Sequence, residues 1–277
     1  MGRLPDWLIY LLALGAIVWV FSQVGGRGDA PPAPSPIEDN ADEPGPPLPA
    51  ASVYDPEVLV EVGPVTSGLG TAFAIDRSGW WLTARHVVDD CKEVGVVVGK
   101  RRAVRAKEVR TARFADLALI RTDKAPGALA FDLAEKDMRI GQTAFHVGYP
   151  QGQPGEAASR LIGRERLVAR GRYSLEEPVL AWAELGRTEG LNGSLGGISG
   201  GPVLDAQGEV IGVTIAESAR RGRIYTATPA SIAQLFDLNK VDPRGEKVGP
   251  LDLKNYDDAA DNMRFDLSVA QIVCVAK

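Results

Sequence analysis

The sequence predicts an all-β fold, because short β-branched segments follow one another from Val53 onward and helix signals are sparse. Glycines separate these segments at short intervals, which is the pattern of a β-barrel or a β-sandwich. Apolar residues make up 45% of the 277 residues and charged residues 24%, so disordered, collagenous and multi-span membrane proteins are excluded. The predicted strands include VLVEVG, GTAFAI, GVVVG, DLALIRT, TAFHVGYP and EVIGVTIA.

An apolar segment precedes the strands. Residues 7–24 read WLIYLLALGAIVWVFSQV and predict one N-terminal transmembrane helix. A cleavable signal peptide is the alternative, but its apolar region is usually shorter, about 7–15 residues, and no clear small-x-small site follows Val24. We therefore expect an uncleaved anchor with residues 1–6 in the cytoplasm. Residues 25–51, rich in proline and acidic side chains, predict an extended linker.

The C-terminal part of the chain contains the one clear helix signal. At residues 227–238, ATPASIAQLFDL, a proline followed by Ser231 and an apolar i, i+3, i+4 pattern predict a helix. Residues 241–277 form a C-terminal extension that ends in SVAQIVCVA, which predicts a strand added to a barrel edge.

Charge and metal-binding residue types narrow the function classes. The formal net charge of −5 argues against a nucleic-acid partner, and the local basic stretches 100–110 and 160–172 are expected to be solvated strands and loops. The two cysteines, Cys91 and Cys274, are too few for a disulfide scaffold and lack the spacing of a zinc site. With only two histidines as well, no metal and no cofactor is expected.

A glycine-rich segment, GSLGGISGGP, carries the candidate nucleophile Ser199. A nucleophilic serine needs an exposed hydroxyl on a tight turn, with backbone N–H groups turned towards the developing oxyanion, and flanking glycines permit that backbone shape. The alternative is a glycine-rich hairpin loop with an incidental serine.

Two further residues complete a candidate triad. His86 follows an apparent strand pair in TARHVV, and Asp116 immediately precedes an alternating apolar strand in FADLALI. Imidazole accepts a serine proton well only when a carboxylate orients it and stabilises its positive charge. The chain order His, Asp, Ser is therefore informative.

Together, GTAFAI, TARHVV, DLALI and GISGGPVLDAQGEVIGV resemble the chymotrypsin-like serine proteases, especially the bacterial HtrA/Deg branch. The resemblance implies two perpendicular six-stranded β-barrels within residues 52–240, at about 52–135 and 136–240, with the triad between them. It also implies an oxyanion hole made by the backbone N–H groups of Gly197 and Ser199, and a cleft lined by Val213–Ala216.

The same comparison sets further expectations. HtrA proteases usually carry a PDZ domain, but only about forty residues follow Leu238, too few for one. Gly193 lies where the family shapes its primary pocket and supplies no charge, which favours an uncharged residue before the cleaved bond. Residues 172–188 fall in variable loops of the family and match no pattern.

Other candidate residues have structural interpretations. His146 lies in an alternating strand, Ser194 lacks the Ser-Gly-Gly-Pro context, and Asp89 and Asp90 are expected to solvate a turn. The pair Trp80-Trp81 is typical of a core or barrel end.

The sequence thus predicts a serine endopeptidase that acts on proteins or peptides; a non-catalytic, membrane-tethered binding or scaffolding protein is the alternative. We expect a single-pass protein of a bacterial inner membrane with its protease domain in the periplasm, or a secreted periplasmic protein if residues 7–24 are cleaved. In that oxidising compartment, Cys91 and Cys274 could form a disulfide that tethers the terminal strand. The sequence leaves the oligomeric state open.

Overall fold

The computed structural model describes residues 45–276. The predicted segment 1–6, the predicted anchor 7–24 and most of the linker 25–51 lie outside the described residues. Within residues 45–276, no helix is both long enough and apolar enough to cross a membrane.

The described residues form two mainly antiparallel sheets with three α-helices. The strands are β1 (Glu57–Val62), β2 (Gly68–Ala74), β3 (Trp80–Thr83), β4 (Glu93–Gly99), β5 (Arg102–Arg105), β6 (Glu108–Thr111), β7 (Ala118–Arg121), β8 (Thr143–Gly148), β9 (Gly155–Gly171), β10 (Leu175–Arg187), β11 (Pro202–Leu204), β12 (Val210–Ser218), β13 (Arg223–Ala227) and β14 (Val269–Val275). The helices are α1 (Arg85–Val88), α2 (Pro229–Asn239) and α3 (Tyr256–Phe265).

The first sheet contains seven strands in the order β5-β4-β14-β2-β3-β7-β6. The C-terminal strand β14 lies inside this sheet, where Ile272 is opposite Gly70 on one side and Val96 on the other. The expected position at a barrel edge is therefore wrong. Apolar alternation identifies a strand and its buried face, but it does not reveal how many of the strand's two edges are paired.

The second sheet also contains seven strands, in the order β1-β9-β10-β13-β12-β11-β8. Strand β8 pairs with both β9 and β11, so β8 to β13 close into a six-stranded barrel, and β1 adds in parallel to β9. The all-β expectation agrees with two such sheets, and β8 to β13 form the six-stranded barrel expected for the second half; each sheet carries one further strand, β1 in the second and β14 in the first. Residues 57–62 join the second sheet, and residues 269–275 join the first sheet. Each of these two strands therefore pairs with strands that are distant from it in sequence.

Each sheet has its own apolar core, and a larger core joins the two. Trp81, Ile120 and Ile272 belong to the first, whereas Leu161 and Trp182 belong to the second. In the joint core, buried side chains from both sheets and α2 pack together: Phe73, Leu82, Phe145, Val213, Ile232 and Leu235. Burial of one such side chain contributes about 1.5–3 kcal/mol, so this core fixes the two sheets against each other.

Of the two longer helices, the sequence analysis predicted one and missed the other. Helix α2 corresponds to the predicted helix at 227–238; Thr228 Oγ1 accepts the N–H of Ser231 at 3.1 Å, and proline occupies the first turn. Helix α3 was not predicted. Its sequence signals are acidic residues in the first turn, Asp257 and Asp258, and Arg264 in the last.

The end of the predicted linker contacts the second sheet. The N–H of Leu48 donates to Met138 O at 2.9 Å, and the N–H of Ile140 donates to Pro46 O at 3.0 Å. Leu48 also packs against the core of this sheet. Ordered contacts of the folded part therefore begin before residue 52.

Candidate active site

The pairing of β3 with β7 brings His86 and Asp116 together. Thr83 is opposite Ala118, so the residues after β3 and before β7 meet at one end of the sheet. The backbone N–H of His86 donates to Asp116 Oδ1 at 2.8 Å, and His86 Nδ1 lies 2.6 Å from Asp116 Oδ2. This contact assigns the proton to Nδ1 and leaves Nε2 as the basic nitrogen.

The two groups shift each other's pKa. Burial disfavours the charged imidazolium, but the carboxylate of Asp116 outweighs burial and the nearby Arg172, so the pKa of His86 lies above its usual value. Burial also disfavours the Asp116 carboxylate, but the charge of His86 and hydrogen bonds from His86 and Tyr173 hold the pKa of Asp116 below its usual range. The pair is therefore suited to carry a positive charge on His86.

Ser199 lies in a tight turn before β11. The turn is held by hydrogen bonds from Gly200 N–H to Thr214 O at 2.7 Å and from Thr71 N–H to Ser199 O at 2.9 Å. Gly200 has a φ of +88°, and a Cβ there would lie 2.1 Å from Thr71 O, so the turn requires glycine.

Ser199, His86 and Asp116 line one cavity of about 670 Å³. Within the part of the chain that the structure describes, no hydrogen bond joins Ser199 Oγ to His86.

The predicted oxyanion hole has two available donors. In the described residues, the N–H groups of Gly197 and Ser199 make no hydrogen bond. The Gln151 N–H donates to Gly196 O at 2.6 Å and fixes the peptide group that carries the Gly197 N–H, and the Gly201 N–H donates to Ile198 O at 2.8 Å and fixes the one that carries the Ser199 N–H. With a φ of +103° and a Cβ position 2.5 Å from Tyr149 O, position 197 also requires glycine. Two free, rigidly held N–H groups next to a serine can bind a developing oxyanion.

Charged side chains hold the preceding loop. The Glu217 carboxylate accepts the N–H of Leu195 at 2.8 and 2.9 Å and the hydroxyl of Ser194. Arg187 donates to Gly193 O at 2.7 Å. Ser194 is thus a loop residue here, and Glu217 is a site residue that the sequence analysis missed.

Part of the cavity wall beside the triad is apolar. Val60 and Val62 of β1, Leu167 and Ala169 of β9, and Ile215 of β12 contribute to it. Because Ile215 belongs to the predicted cleft segment, this wall can contact side chains of a bound peptide.

Two residues of the β9–β10 hairpin contact Asp116, and the sequence analysis missed both. Tyr173 O–H donates to Asp116 Oδ1 at 3.0 Å, and Glu177 Oε1 accepts the N–H of Asp116 at 2.8 Å. The signal for Glu177 was its position between Leu175 and Val179 on the buried face of β10, where an unpaired acid is unusual.

The remaining candidates lie at other places. His146 is fully buried, with Nδ1 3.1 Å from Thr214 Oγ1 and Nε2 2.6 Å from Ser159 Oγ. Asp89, which was expected only to solvate a turn, forms ion pairs with Arg85 at 3.6 Å and Arg172 at 3.8 Å. Trp80 and Trp81 are buried, and Asp90 is exposed. Among residues 45–276, no group of three or more acidic, histidine or cysteine side chains is arranged to hold a metal ion.

Cys91 and Cys274 form a disulfide in the structure, with their Cα atoms 5.6 Å apart. Cys91 follows α1, which carries His86, and Cys274 belongs to β14. The bond thus connects the C-terminal strand to the chain next to the candidate base.

The chain is similar to known bacterial proteases. It is 29% identical over 211 residues to the periplasmic pH-dependent serine endoprotease DegQ of Escherichia coli, covering 73% of this chain and 44% of DegQ. It is 30% identical over 170 residues to the putative serine protease HhoA of Synechocystis, covering 61% of this chain and 42% of HhoA. The predicted resemblance to the HtrA/Deg branch is confirmed, although the chain spans less than half the length of these relatives.

A solved structure is similar in fold. The active form of the Rv3671c protease of Mycobacterium tuberculosis gives a TM-score of 0.51 at 22% identity, covering 65% of this chain and 77% of that protein. The family model for the trypsin-like peptidase domain matches residues 70–213, slightly more than half of the chain, and the chain therefore belongs to that family.

Proposed function

We propose that this chain is a serine endopeptidase that hydrolyses peptide bonds of proteins or peptides through an acyl-enzyme on Ser199. The observation that supports it most is one cavity that holds a hydrogen-bonded Asp116–His86 pair, Ser199 and two unbonded N–H groups. Those parts are the base, the nucleophile and the oxyanion donors of acyl transfer.

The geometry supports a two-step mechanism. His86 Nε2 takes the proton of Ser199 as Oγ attacks the peptide carbonyl, and the Gly197 and Ser199 N–H groups bind the oxyanion that forms. Asp116 orients His86 and stabilises the imidazolium. His86 then protonates the leaving amine, and a water molecule activated by the same nitrogen releases the acyl group.

The names of relatives support a location. DegQ and the DegP-like proteases are named periplasmic. We propose that the folded part acts in the periplasm of a bacterium, held at the inner membrane by residues 7–24.

A paired substitution tests the activity. Ser199→Ala should abolish labelling by a fluorophosphonate and lower casein hydrolysis by several orders of magnitude, because the nucleophile is lost. Ser78→Ala, in an exposed turn where Ser78 bonds Asp76, should change neither. Casein hydrolysis by folded Ser199→Ala at the wild-type rate would refute the assignment of the nucleophile. Absence of both labelling and hydrolysis in the wild-type protein would favour the non-catalytic alternative.

A further inference from the structure

The hairpin of β9 and β10 extends from the second barrel to the Asp116–His86 pair. Its turn, Arg172 to Ser174, lies between Gly171 at the end of β9 and Leu175 at the start of β10. Three side chains of this hairpin contact the pair. No part of the mechanism above uses them.

Tyr173 binds the oxygen of the carboxylate that the imidazole does not contact. Its hydroxyl donates to Asp116 Oδ1, the same oxygen that accepts the backbone N–H of His86. The Arg85 guanidinium carbon lies 3.9 Å from the centre of the Tyr173 ring, and that of Arg172 lies 5.7 Å away. Two cation–π contacts thus fix the ring, and with it the position of the hydroxyl.

Glu177 binds the backbone of the same residue. Its side chain is among the most deeply buried acids, at 1% exposure, and Oε1 accepts the N–H of Asp116. Its other oxygen, Oε2, is buried and has no hydrogen-bond partner within the described residues. Burial and the charge of Asp116 raise the pKa of Glu177 well above its usual value. Glu177 contacts Asp116 as a hydrogen-bond acceptor to its backbone N–H, through Oε1.

Arg172 extends the same contact to the base. Its guanidinium donates to His86 O at 3.1 Å and forms an ion pair with Asp89. The hairpin thus contacts the backbone of both members of the pair and the carboxylate of one.

We propose that Tyr173 and Glu177 are positioning residues, which hold Asp116 in the orientation that binds His86. The proposal rests on the proposed function, because the orientation matters through proton transfer to His86. In this proposal, residues of the β9–β10 hairpin orient a catalytic pair whose two members lie between strands of the first sheet.

The first test removes one hydroxyl. Tyr173→Phe keeps the ring that both arginines contact and should lower kcat about tenfold with KM within about twofold, the effect of losing one hydrogen bond to a charged group. The acid limb of the pH profile should move to higher pH, because a carboxylate with one donor fewer attracts the imidazolium proton more strongly. Tyr256→Phe is the matched control; Tyr256 stacks on Phe145, with ring centres 5.3 Å apart, and should leave kcat unchanged.

The second test asks whether Glu177 acts on Asp116 through its hydrogen-bond acceptor oxygen or through its ionisable group. Glu177→Gln keeps an oxygen that accepts the Asp116 N–H and should leave kcat within about twofold. Glu177→Met removes the acceptor at similar length and should lower kcat. If Glu177→Met does not fold, the Tyr173→Phe and Glu177→Gln variants test the proposal. A loss of kcat of more than tenfold in folded Glu177→Gln would contradict the role of Glu177 as a hydrogen-bond acceptor.

A third readout does not depend on hydrolysis. Of the two histidines, buried His146 has a pKa lowered to about 3, so proton NMR between pH 5 and 9 follows His86 alone. The charged or titratable groups around His86 are Asp116, Arg172, Arg85, Asp89, Tyr173 and Glu177, with Glu61 and Glu217 on the same cavity. The Tyr173→Phe variant removes only the Tyr173 hydroxyl from this set of groups, and the pKa of His86 should rise.

The readouts distinguish the two proposals. A His86 shift in Tyr173→Phe without any wild-type hydrolysis would refute the proposed function and support the positioning role. Wild-type hydrolysis, with kcat, pH profile and His86 pKa unchanged in Tyr173→Phe, would overturn the positioning role. A lower melting temperature with an unmoved His86 pKa would also overturn it, because Tyr173 would then act on stability alone.

Discussion

The imidazole of His86 is subject to two opposing effects, and their balance sets the pH range of activity. Burial and Arg172 favour the neutral ring, whereas Asp116 favours the charged ring and dominates. The neutral ring is the base, so activity should fall as the pH drops through a pKa that lies above the usual value of about 6.5.

Asp116→Asn should reverse this balance. Without a carboxylate, burial and Arg172 act unopposed, so the acid limb of kcat/KM should move to lower pH, while kcat falls roughly 10⁴-fold because the amide neither stabilises imidazolium nor fixes the right tautomer. The measurement is a pH profile of peptide hydrolysis, with Asp90→Asn in the exposed turn after α1 as the control. An unmoved acid limb in Asp116→Asn would show that another group controls it.

The second histidine should affect stability rather than chemistry. The pKa of buried His146 is lowered to about 3, whereas in the unfolded chain it is about 6.5, so the unfolded state binds the extra proton between these values. Stability from the neutral ring is complete above pH 6.5 and is lost as the pH falls towards 3, by about 1.4 kcal/mol per pH unit.

His146→Gln removes this titration. The variant should be less stable than wild type at pH 7, because the bonds to Thr214 and Ser159 change, but the gap in unfolding free energy should narrow by roughly 2–3 kcal/mol at pH 4.5. Urea unfolding at both pH values measures it. Equal gaps at the two pH values would contradict a neutral buried ring.

At the scale of single residues, sequence reasoning found the chemistry and missed its supports. His86, Asp116 and Ser199 stand in short local patterns that chemistry explains. Tyr173 and Glu177 act through contacts 57 and 61 residues away, and nothing local marks what they touch. Only Glu177 could have been noticed from the sequence, because it is an acidic residue at a buried position of an alternating strand.

Among the elements, β14 and α3 give the C-terminal extension a structural role. Strand β14 fills the gap between β2 and β4. In α3, buried Arg264 pairs with buried Glu156 of β9 and donates to Gly148 O at 3.3 Å. The extension therefore contacts both sheets, which composition and periodicity could not show because they identify elements but not partners.

The disulfide between Cys91 and Cys274 should stabilise the fold against thermal unfolding by tethering β14. Cys91 and Cys274 are 183 residues apart, and closing so long a loop contributes on the order of 4–5 kcal/mol in the chain-entropy model. Reduction should lower the melting temperature of wild type, whereas Cys91→Ser, Cys274→Ser and the double variant should share that lower value and not respond to reductant. Reaction of both thiols with a maleimide in the unfolded, unreduced protein would refute the bond.

At the scale of the whole molecule, the sequence predicted two β-units with a cleft but divided them wrongly. The predicted boundary near residue 135 assigns β1 to the first barrel, but β1 pairs in the second sheet, and β14, which was predicted to lie in an extension outside both barrels, pairs inside the first sheet. Strand pairing depends on which edges remain open after the other strands have paired, and this is a property of the assembled sheets.

The membrane topology is the remaining prediction at this scale. The apolar run at residues 7–24 would span about 27 Å as a helix, close to the thickness of a bilayer core. With residues 1–6 in the cytoplasm, the protease domain would face the periplasm, where a disulfide is stable. Alkaline phosphatase fused after Lys277 should be active in a bacterial host, and β-galactosidase at the same position should not be. Deletion of residues 2–24 should reverse both results, because the export signal is then absent. Activity of the β-galactosidase fusion alone in the intact chain would place the protease domain in the cytoplasm and refute the topology.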